Sequence, residues 1–267
     1  MPDVARALVL GVVQGLAEFL PISSSGHLAV LQEGLGWSGF GLFFDVTVHL
    51  ATLLAVVVYF RSDLALMARA FARPDASLAG ERRFALLVLA ATVPTAVIGL
   101  LGDDLFEHFF SSLVWVGAFF LVTTVALVSS EMLSRKTGHD AHEMAWGKAL
   151  LIGAAQGMAI APGISRSGAT IAAGLGVGLD REQAARFSFL LSGPIILLAG
   201  VKTGLDAVTE RSPVGDPLAV AAGFVAAAVT GYLAIAGMLA FVKRRPLYAF
   251  AAYTGVLGVS VLVWQLT

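Results

Sequence analysis

Four stretches of this chain run for membrane-spanning length without a charged side chain. They cover residues 84–101, 113–130, 218–242 and 247–267. A helix needs about 20 apolar residues, with about 17 as the lower end, to cross the hydrocarbon core of a bilayer. A soluble protein of 267 residues buries at most one helix of this kind. The pattern therefore predicts an all-α integral membrane protein.

Two polar segments, residues 14–27 and 156–170, interrupt the apolar sequence. Each lies between two apolar runs that are too short to span comfortably, which are 8–17 and 28–37, then 149–161 and 171–179. Two half-length helices around a Ser/Gly turn form a re-entrant hairpin. Irregular backbone at membrane depth is tolerated only where protein shields it or where it lines a wet cavity. We therefore expect both hairpins to lie at the functional site.

The two polar segments resemble each other. The segment Gln14 to Ala17 returns as Gln156 to Ala159, and Ile22 to Gly26 returns as Ile164 to Gly168, both at an offset of 142 residues. Gln, Ser and Gly in register are harder to obtain by chance than apolar matches. We therefore predict one membrane domain built from an internal duplication, with the domain covering 1–267 and the repeats approximately 1–142 and 143–267.

Three further apolar segments follow each predicted hairpin. They are 42–60, 84–101 and 113–132 in the first half, and 187–201, 218–242 and 247–267 in the second. This gives about six transmembrane helices. With three spans after its hairpin, the first half starts and ends on opposite sides of the membrane. The second half is then inserted upside down, an inverted-topology repeat whose hairpins enter from opposite faces and meet near the midplane.

Loop charges predict the orientation, because cytoplasmic loops are enriched in Lys and Arg. The loops 61–83, 134–148 and 243–245 are basic, whereas 102–112 is acidic and has no Lys or Arg. The basic loops are therefore expected in the cytoplasm. The loops 102–112 and 203–217 and both termini are expected outside.

Composition narrows the function classes. Hydrophobic residues make up 58% of the chain and charged residues 13%, with a net charge of −1 and no cysteine. An average soluble domain has about 25% charged residues. The charge balance argues against a nucleic-acid binder, and disulfides and thiol chemistry are excluded.

The first polar segment carries a carboxylate in the apolar zone. Gln14 and Glu18 lie four residues apart and share a helix face. Because a charge at membrane depth is costly, Glu18 should face a cavity or a partner, where it serves as cation ligand or general base. The alternative is a Glu at the membrane interface that faces water.

The same segment ends in a serine-rich turn. Ser23, Ser24 and Ser25 offer hydroxyl and backbone N–H groups just before a helix, a combination that suits a phosphate. The alternative is a plain helix cap. His27 is a candidate nucleophile, general acid or base, or metal ligand, and the alternative is a capping or packing role.

The second polar segment carries the complementary charge. Arg166 is the sole Arg or Lys between Lys148 and Arg181. Its planar guanidinium suits a phosphate, and the alternative is an ion pair with Glu18 across the two repeats. Additional hydroxyls lie on or near the same turn, from Ser165, Ser167 and Thr170.

Asp45 and His49 lie four residues apart at the start of the first full span. They either line the mouth of the cavity or simply mark the membrane interface. Taken together, these groups fit a phosphorylated amphiphile. Phosphoryl transfer from a diphosphate needs neutralising cations, an anion cradle and an activated nucleophile, and Glu18 with Gln14 offers a divalent metal site.

At these residues the chain resembles the undecaprenyl-diphosphate phosphatase family known as bacitracin-resistance proteins. That family carries (Glu/Gln)-x-x-x-Glu and then Pro-x-Ser-Ser-(Ser/Thr)-Gly-His, which here are Gln14 to Glu18 and Pro21 to His27. Its second motif, Pro-Gly-x-Ser-Arg-Ser-x-x-Thr, is Pro162 to Thr170 without departure. The resemblance covers essentially the whole chain. Gln14 is an accepted form, but it leaves a single carboxylate for a metal.

The resemblance implies hydrolysis of undecaprenyl diphosphate to undecaprenyl phosphate and inorganic phosphate, which recycles the lipid carrier of cell-wall synthesis. It implies a divalent cation, Mg²⁺ or Ca²⁺, held by Glu18, and a multi-pass protein of the bacterial inner membrane with a periplasmic active site. It assigns Glu18, His27 and Arg166 as catalytic residues. It assigns substrate binding to the remaining site residues, which are Gln14, Ser23, Ser24, Ser25, Ser165, Ser167 and Thr170.

Some properties stay open at this point. The nucleophile is His27, a serine, or water activated by His27, and a homodimer is compatible with the sequence. The expected partners are a polyprenyl diphosphate lipid and the bilayer. The competing hypothesis is a transporter or flippase of a phosphorylated polyprenyl lipid, because inverted repeats with broken helices also serve alternating access.

Overall fold

The computed structural model describes residues 3–37, 40–73, 75–134, 138–209 and 215–267. Within these ranges the chain is helical, and the only β-pairing is an isolated bridge between His139 and Leu179. The helices are α1 (Asp3–Phe19), α2 (Ser24–Gly34), α3 (Gly41–Tyr59), α4 (Arg61–Ala72), α5 (Ala79–Leu101), α6 (Asp103–Phe110), α7 (Leu113–Leu133), α8 (Trp146–Met158), α9 (Arg166–Gly176), α10 (Arg181–Thr209), α11 (Pro217–Val242) and α12 (Tyr248–Leu266). The prediction of an all-α membrane protein is confirmed.

Five of the described helices are long and apolar enough to cross a membrane, namely α5, α7, α10, α11 and α12. A sixth span is present if α3 and α4, which are bent by 74° at Phe60, count as one broken span. The predicted number of about six spans is therefore confirmed.

Both polar segments form helical hairpins. We call α1, the turn 20–23 and α2 the first hairpin, and α8, the turn 159–165 and α9 the second hairpin. Their turns touch: the Ser23 hydroxyl lies 3.2 Å from the backbone nitrogen of Gly163, and the Ser167 hydroxyl donates to the carbonyl of Leu20 at 3.0 Å. The two turns therefore build one common polar centre.

The helices that follow the hairpins pack in a reciprocal pattern. Helix α1 of the first hairpin packs along α11, and α8 of the second hairpin packs along α5. Helix α3 packs on α10, and α7 packs on α12. This exchange is the packing expected of two duplicated halves, whereas the repeat boundary near residue 142 stays a prediction.

Glycine permits the close approach of the hairpins to these long helices. A Cβ atom on Gly153 of α8 would lie 1.9 Å from the carbonyl oxygen of Ala91 in α5. On the opposite side, a Cβ atom on Gly11 of α1 would lie 2.3 Å from the carbonyl oxygen of Gly223 in α11. Small residues at helix crossings in membranes allow such backbone contact.

Polar contacts join the basic loops at one end of the bundle. Arg83 donates to the carbonyls of His142 and Met144, which connects the start of α5 to the segment before α8. Glu131 at the end of α7 binds Arg181 at 2.6 Å and accepts the backbone N–H of Leu247 at 3.0 Å. The starts of α5, α8, α10 and α12 therefore lie at the end where α7 finishes.

The acidic segment lies at the other end, where Lys202 of α10 binds Asp103 of α6 at 2.6 Å. The first hairpin returns to this end, because Gly34 lies against Trp264 near the end of α12. The second hairpin starts and finishes at the basic end, where Lys148 donates to the carbonyl of Val177 at 2.7 Å. The two hairpins thus enter from opposite ends.

Two segments treated as loops in the sequence are helices, and the loop assignment is wrong there. Residues Arg61–Ala72 form α4, whose apolar side packs Leu64 and Met67 against the core. Residues Asp103–Phe110 form α6, which buries Phe106. Both are amphipathic helices at the ends of the bundle, so their charges lie on the outer face without preventing helix formation.

Candidate active site

The carboxylate of Glu18 lies at the centre of the contact between the hairpins. It occupies the last turn of α1 and is 7% exposed. Its Oε2 atom accepts hydrogen bonds from Gln14 Nε2 at 2.9 Å and from Ser24 Oγ at 2.6 Å. Its Oε1 atom accepts from Arg166 Nη2 at 2.7 Å. The structure therefore brings together the carboxylate and guanidinium that the sequence assigns to opposite hairpins.

Ser23 fixes the shape of the first turn. Its backbone has φ 69° and ψ 101°, in the left-handed range that non-glycine residues rarely adopt. Residues in such regions cost about 1–3 kcal/mol and persist only where their surroundings hold them. Here the Ser23 hydroxyl caps α2 by accepting the backbone N–H of Gly26 at 3.4 Å, and it donates to the carbonyl of Ile164 at 3.3 Å.

Thr123 of α7 supports the second turn. Its hydroxyl donates to the carbonyl of Gly163 at 2.9 Å and accepts the backbone N–H of Ser165 at 2.9 Å. The Ser165 hydroxyl caps α9 by accepting the backbone N–H of Gly168 at 3.0 Å. Gly163 has φ 99°, which allows the sharp turn before the cap. A hydroxyl inside an apolar span thus determines the course of this turn.

The predicted phosphate-binding residues divide into two groups. Ser165, Ser167 and Thr170 are each 1% exposed, and their hydroxyls already have protein partners. Ser24 and Ser25 are partly exposed. The buried hydroxyls support the turns. Of the partly exposed ones, Ser24 binds Glu18, whereas Ser25 lies 3.4 Å from the Ser23 hydroxyl.

Arg166 is positioned from three helices. Its Nη2 atom reaches Glu18 of α1, and its Nη1 atom lies 3.5 Å from the carbonyl of Ser188 in α10. The hydroxyl of Thr170, one turn along α9, shares a hydrogen bond of 2.6 Å with the hydroxyl of Ser188. Ser188 was not singled out from the sequence, although a polar residue in an apolar span is a general signal for a site.

His27 connects the first turn to α12. Its Nδ1 atom is 2.7 Å from the carbonyl oxygen of Ser23, and its Nε2 atom is 2.7 Å from the hydroxyl of Tyr253 in α12. Because a carbonyl only accepts, Nδ1 donates to Ser23, and Nε2 shares a hydrogen bond with the Tyr253 hydroxyl. In the part of the chain that the structure describes, no hydrogen bond or ion pair joins His27 to Glu18 or Arg166. We therefore find both ring nitrogens occupied in holding the turn.

A second imidazole lies closer to the carboxylate. His49 of α3 places its Nε2 atom 3.9 Å from Glu18 Oε2, and its Nδ1 atom lies 2.7 Å from the carbonyl of Asp45. The Asp45 side chain accepts from Gln32 of α2 at 3.3 Å. The structure therefore places His49 beside Glu18, and Asp45 one turn earlier in contact with Gln32 of α2.

The residues at Glu18 fit a divalent cation. Gln14 is fully buried, and its Oε1 atom has no hydrogen-bond partner among the described residues. A buried carbonyl without a partner is unusual, and the same is found at Gln156, the corresponding residue of the second hairpin. A hard cation takes carboxylate, carbonyl and hydroxyl oxygens, all of which are present at this point. Among the described residues there is no cluster of three or more His, Cys, Asp or Glu side chains that could hold a metal, so Gln14 or the substrate must contribute.

Comparison with known families matches residues 7–260 to the model described as Bacitracin resistance protein BacA. The chain belongs to this family. A BacA relative from Rubrobacter xylanophilus, named undecaprenyl-diphosphatase, is 48% identical over 98% of both chains. Relatives of the same name from Alcanivorax borkumensis and Methanosphaera stadtmanae are 43% and 38% identical, each over 98% of this chain and 99% and 98% of their own. The resemblance inferred from the two motifs is therefore confirmed, and the chain is a multi-pass membrane protein of the BacA family.

Proposed function

We propose that this protein hydrolyses undecaprenyl diphosphate to undecaprenyl phosphate and inorganic phosphate. The observation that carries the proposal is the Glu18–Arg166 pair at the contact of the two hairpins. It combines a carboxylate, a guanidinium and a hydroxyl within hydrogen-bond distance, in a family whose relatives carry the name undecaprenyl-diphosphatase.

Arg166 binds the diphosphate in this scheme. Its planar fork matches two phosphate oxygens, and a charge-assisted pair of this kind is stronger than a neutral hydrogen bond. Helices α2 and α9 both begin at the contact of the hairpins, at Ser24 and Arg166. The positive ends of two helix dipoles therefore converge on the same space, which favours an anion there.

Ser24 is the proposed nucleophile, supported by its 2.6 Å hydrogen bond to Glu18. Its oxygen forms a bond to the terminal phosphorus while the bridging P–O bond breaks, and its proton passes to Glu18. Undecaprenyl phosphate leaves. A water molecule then cleaves the phosphoserine and releases inorganic phosphate. His27 has both nitrogens engaged, so we assign it to holding the turn rather than to the attack.

A divalent cation, Mg²⁺ or Ca²⁺, would neutralise the phosphate oxygens as charge develops during transfer. Glu18 and the unpartnered carbonyl of Gln14 are the residues that would hold it. Glu18 is 7% exposed, so its carboxylate has little contact with bulk water.

We also propose that the protein lies in the bacterial inner membrane with the site open to the periplasm. The support is the position of the polar residues that lead from the site to one end of the bundle. Gln32, Asp45 and His49 connect it to the end of the bundle that carries acidic α6, which the charge rule predicts to be external.

Phosphate release by purified protein in detergent, with polyprenyl diphosphate and Mg²⁺, tests this function. We expect continuous release of inorganic phosphate that falls at least about tenfold when a chelator removes the cation and returns when Mg²⁺ is restored. A preparation that binds the lipid and releases no phosphate contradicts the enzyme. Movement of the intact diphosphate across vesicles would then favour the transporter.

A further inference from the structure

Only one of the two imidazoles near the first hairpin has a ring nitrogen that is free on the Glu18 side. His27 uses Nδ1 for the Ser23 carbonyl and Nε2 for the Tyr253 hydroxyl. His49 uses Nδ1 for the Asp45 carbonyl, and its Nε2 has no hydrogen bond among the described residues. The carboxylate oxygen Oε2 of Glu18 lies 3.9 Å from this nitrogen.

We propose that His49 is a ligand of the divalent cation, together with Glu18 and the carbonyl oxygen of Gln14. This inference rests on the proposed function, since it concerns the cation of the same site. It adds a donor from α3, a helix that contributes no residue to either family motif.

The hydrogen bonding of His49 is that of a metal ligand. A histidine that ligates a metal almost always donates its other ring N–H to a carboxylate, a backbone carbonyl or water, which fixes the ring. The Asp45 carbonyl does this for His49 at 2.7 Å, and the other ring nitrogen, Nε2, lies on the side of the Glu18 carboxylate.

The distance between the two donor atoms also fits. Two atoms that each bind one cation at about 2.0–2.2 Å are roughly 2.8–3.6 Å apart for angles between 90° and 110°. The observed distance of 3.9 Å between Nε2 and Oε2 is slightly longer than this range. A small change in the side-chain rotamer is enough to close the difference. His49 is 34% exposed, so its ring has room to move towards Glu18.

Gln14 is the third proposed ligand. Its amide is fully buried and donates through Nε2 to Glu18, while its carbonyl oxygen has no partner among the described residues. A half-turn of the amide exchanges the two atoms and presents the carbonyl to the position beside Glu18. A cation bound there would replace the hydrogen bond from Nε2 to Glu18 with a bond to the carbonyl oxygen, and the neutral amide takes the place of a second carboxylate.

This donor set has a predicted metal preference. It offers one carboxylate, one amide oxygen and one imidazole nitrogen, so its single negative charge is that of Glu18, which also pairs with Arg166. Imidazole suits first-row transition metals, whereas Ca²⁺ takes oxygen ligands. We therefore expect Mn²⁺ to bind more tightly than Ca²⁺ in the absence of lipid.

Pulsed electron paramagnetic resonance of Mn²⁺ bound to the purified full-length protein in detergent, without lipid, tests the proposal. A coordinated imidazole gives a ¹⁴N modulation of the spin echo. We expect this modulation in the unaltered protein, its loss in His49→Gln, and its retention in the matched variant His27→Gln. Mn²⁺ affinity should fall at least about tenfold in His49→Gln, the scale found when even the supporting partners of metal ligands are removed.

Absence of the ¹⁴N modulation, or its survival in His49→Gln, would overturn the proposal. If His49→Gln does not fold, protein grown with ¹⁵N-histidine must show the ¹⁵N frequency instead, and must keep it in His27→Gln. Phosphate release without any nitrogen modulation rejects the ligand and leaves the hydrolase standing. Nitrogen modulation without phosphate release rejects the hydrolase and leaves the cation site.

Discussion

At the scale of single residues, the ion pair between Glu18 and Arg166 joins the two hairpins. The side chains of these residues are 7% and 14% exposed, so neither charge is well solvated. A buried charge that loses its partner destabilises a protein by about 3–5 kcal/mol. The pair therefore couples the assembly of the site to the fold around it.

Substitution of Arg166 tests its role in binding phosphate. Loss of one preorganised donor typically lowers kcat about 10²–10³-fold, so Arg166→Ala should lose at least about 100-fold in phosphate release. Arg166→Lys keeps the charge but not the fork and should recover only part of this loss. Release rates and melting curves in detergent measure both variants.

The control is Arg69→Ala, which removes an exposed guanidinium from α4. It should leave release unchanged. Near-normal release by a folded Arg166→Ala protein would exclude the guanidinium from the cradle.

Sequence reasoning reaches Glu18 and Arg166 because a charge in apolar sequence is conspicuous. It does not predict the hydrogen bond between His27 and Tyr253, because Tyr253 lies 226 residues away along the chain. The same applies to His49, whose place beside Glu18 depends on how α3 packs. The roles of the individual site residues therefore stay predictions, while their meeting at one point is observed.

At the scale of helices, the crossing of α8 and α5 depends on the absence of a side chain at Gly153. Gly153→Ala places a Cβ atom against the backbone of Ala91, and overpacking of this kind costs about 1–3 kcal/mol. The second hairpin should shift, so both the melting temperature and phosphate release should fall.

Gly147→Ala is the matched control in the same helix, since a Cβ atom there meets nothing within 4 Å. It should be neutral or stabilise by up to about 1 kcal/mol through helix propensity. Equal melting temperatures for the two variants would show that the crossing tolerates a wider separation.

Hairpins and long spans are predictable from sequence, since length and apolar content define them directly. The amphipathic helices α4 and α6 are not, because their charges resemble those of loops. Whether a short charged segment is helical depends on the neighbours that receive its apolar side. For α4 these neighbours are residues of the main hydrophobic core around Phe60 and Phe84.

At the scale of the whole molecule, the basic loops share one end and acidic α6 lies at the other. The absence of cysteine makes this arrangement testable with single introduced thiols. Exposed Ser111, after α6, and exposed Ser77, before α5, lie at opposite ends. In intact cells a membrane-impermeant maleimide should label Ser111→Cys at once.

Ser77→Cys should react only after the cells are opened. The reverse pattern would invert the orientation and place the site on the cytoplasmic side. The loop charges alone predict which end of the bundle faces the cytoplasm. The approach of the two hairpin turns to within hydrogen-bond distance requires the packing of all the long helices, so no local pattern encodes it.

The contact between the hairpins also has a consequence for biogenesis. Glu18 and Arg166 are 148 residues apart in the chain. At a synthesis rate of about 5–20 residues per second, Glu18 leaves the ribosome roughly 7–30 s before its guanidinium partner. During this interval the nascent first hairpin holds an unpaired carboxylate, which is costly in hydrocarbon. Its final seating in the bilayer is therefore a late, post-insertion event that waits for the second hairpin.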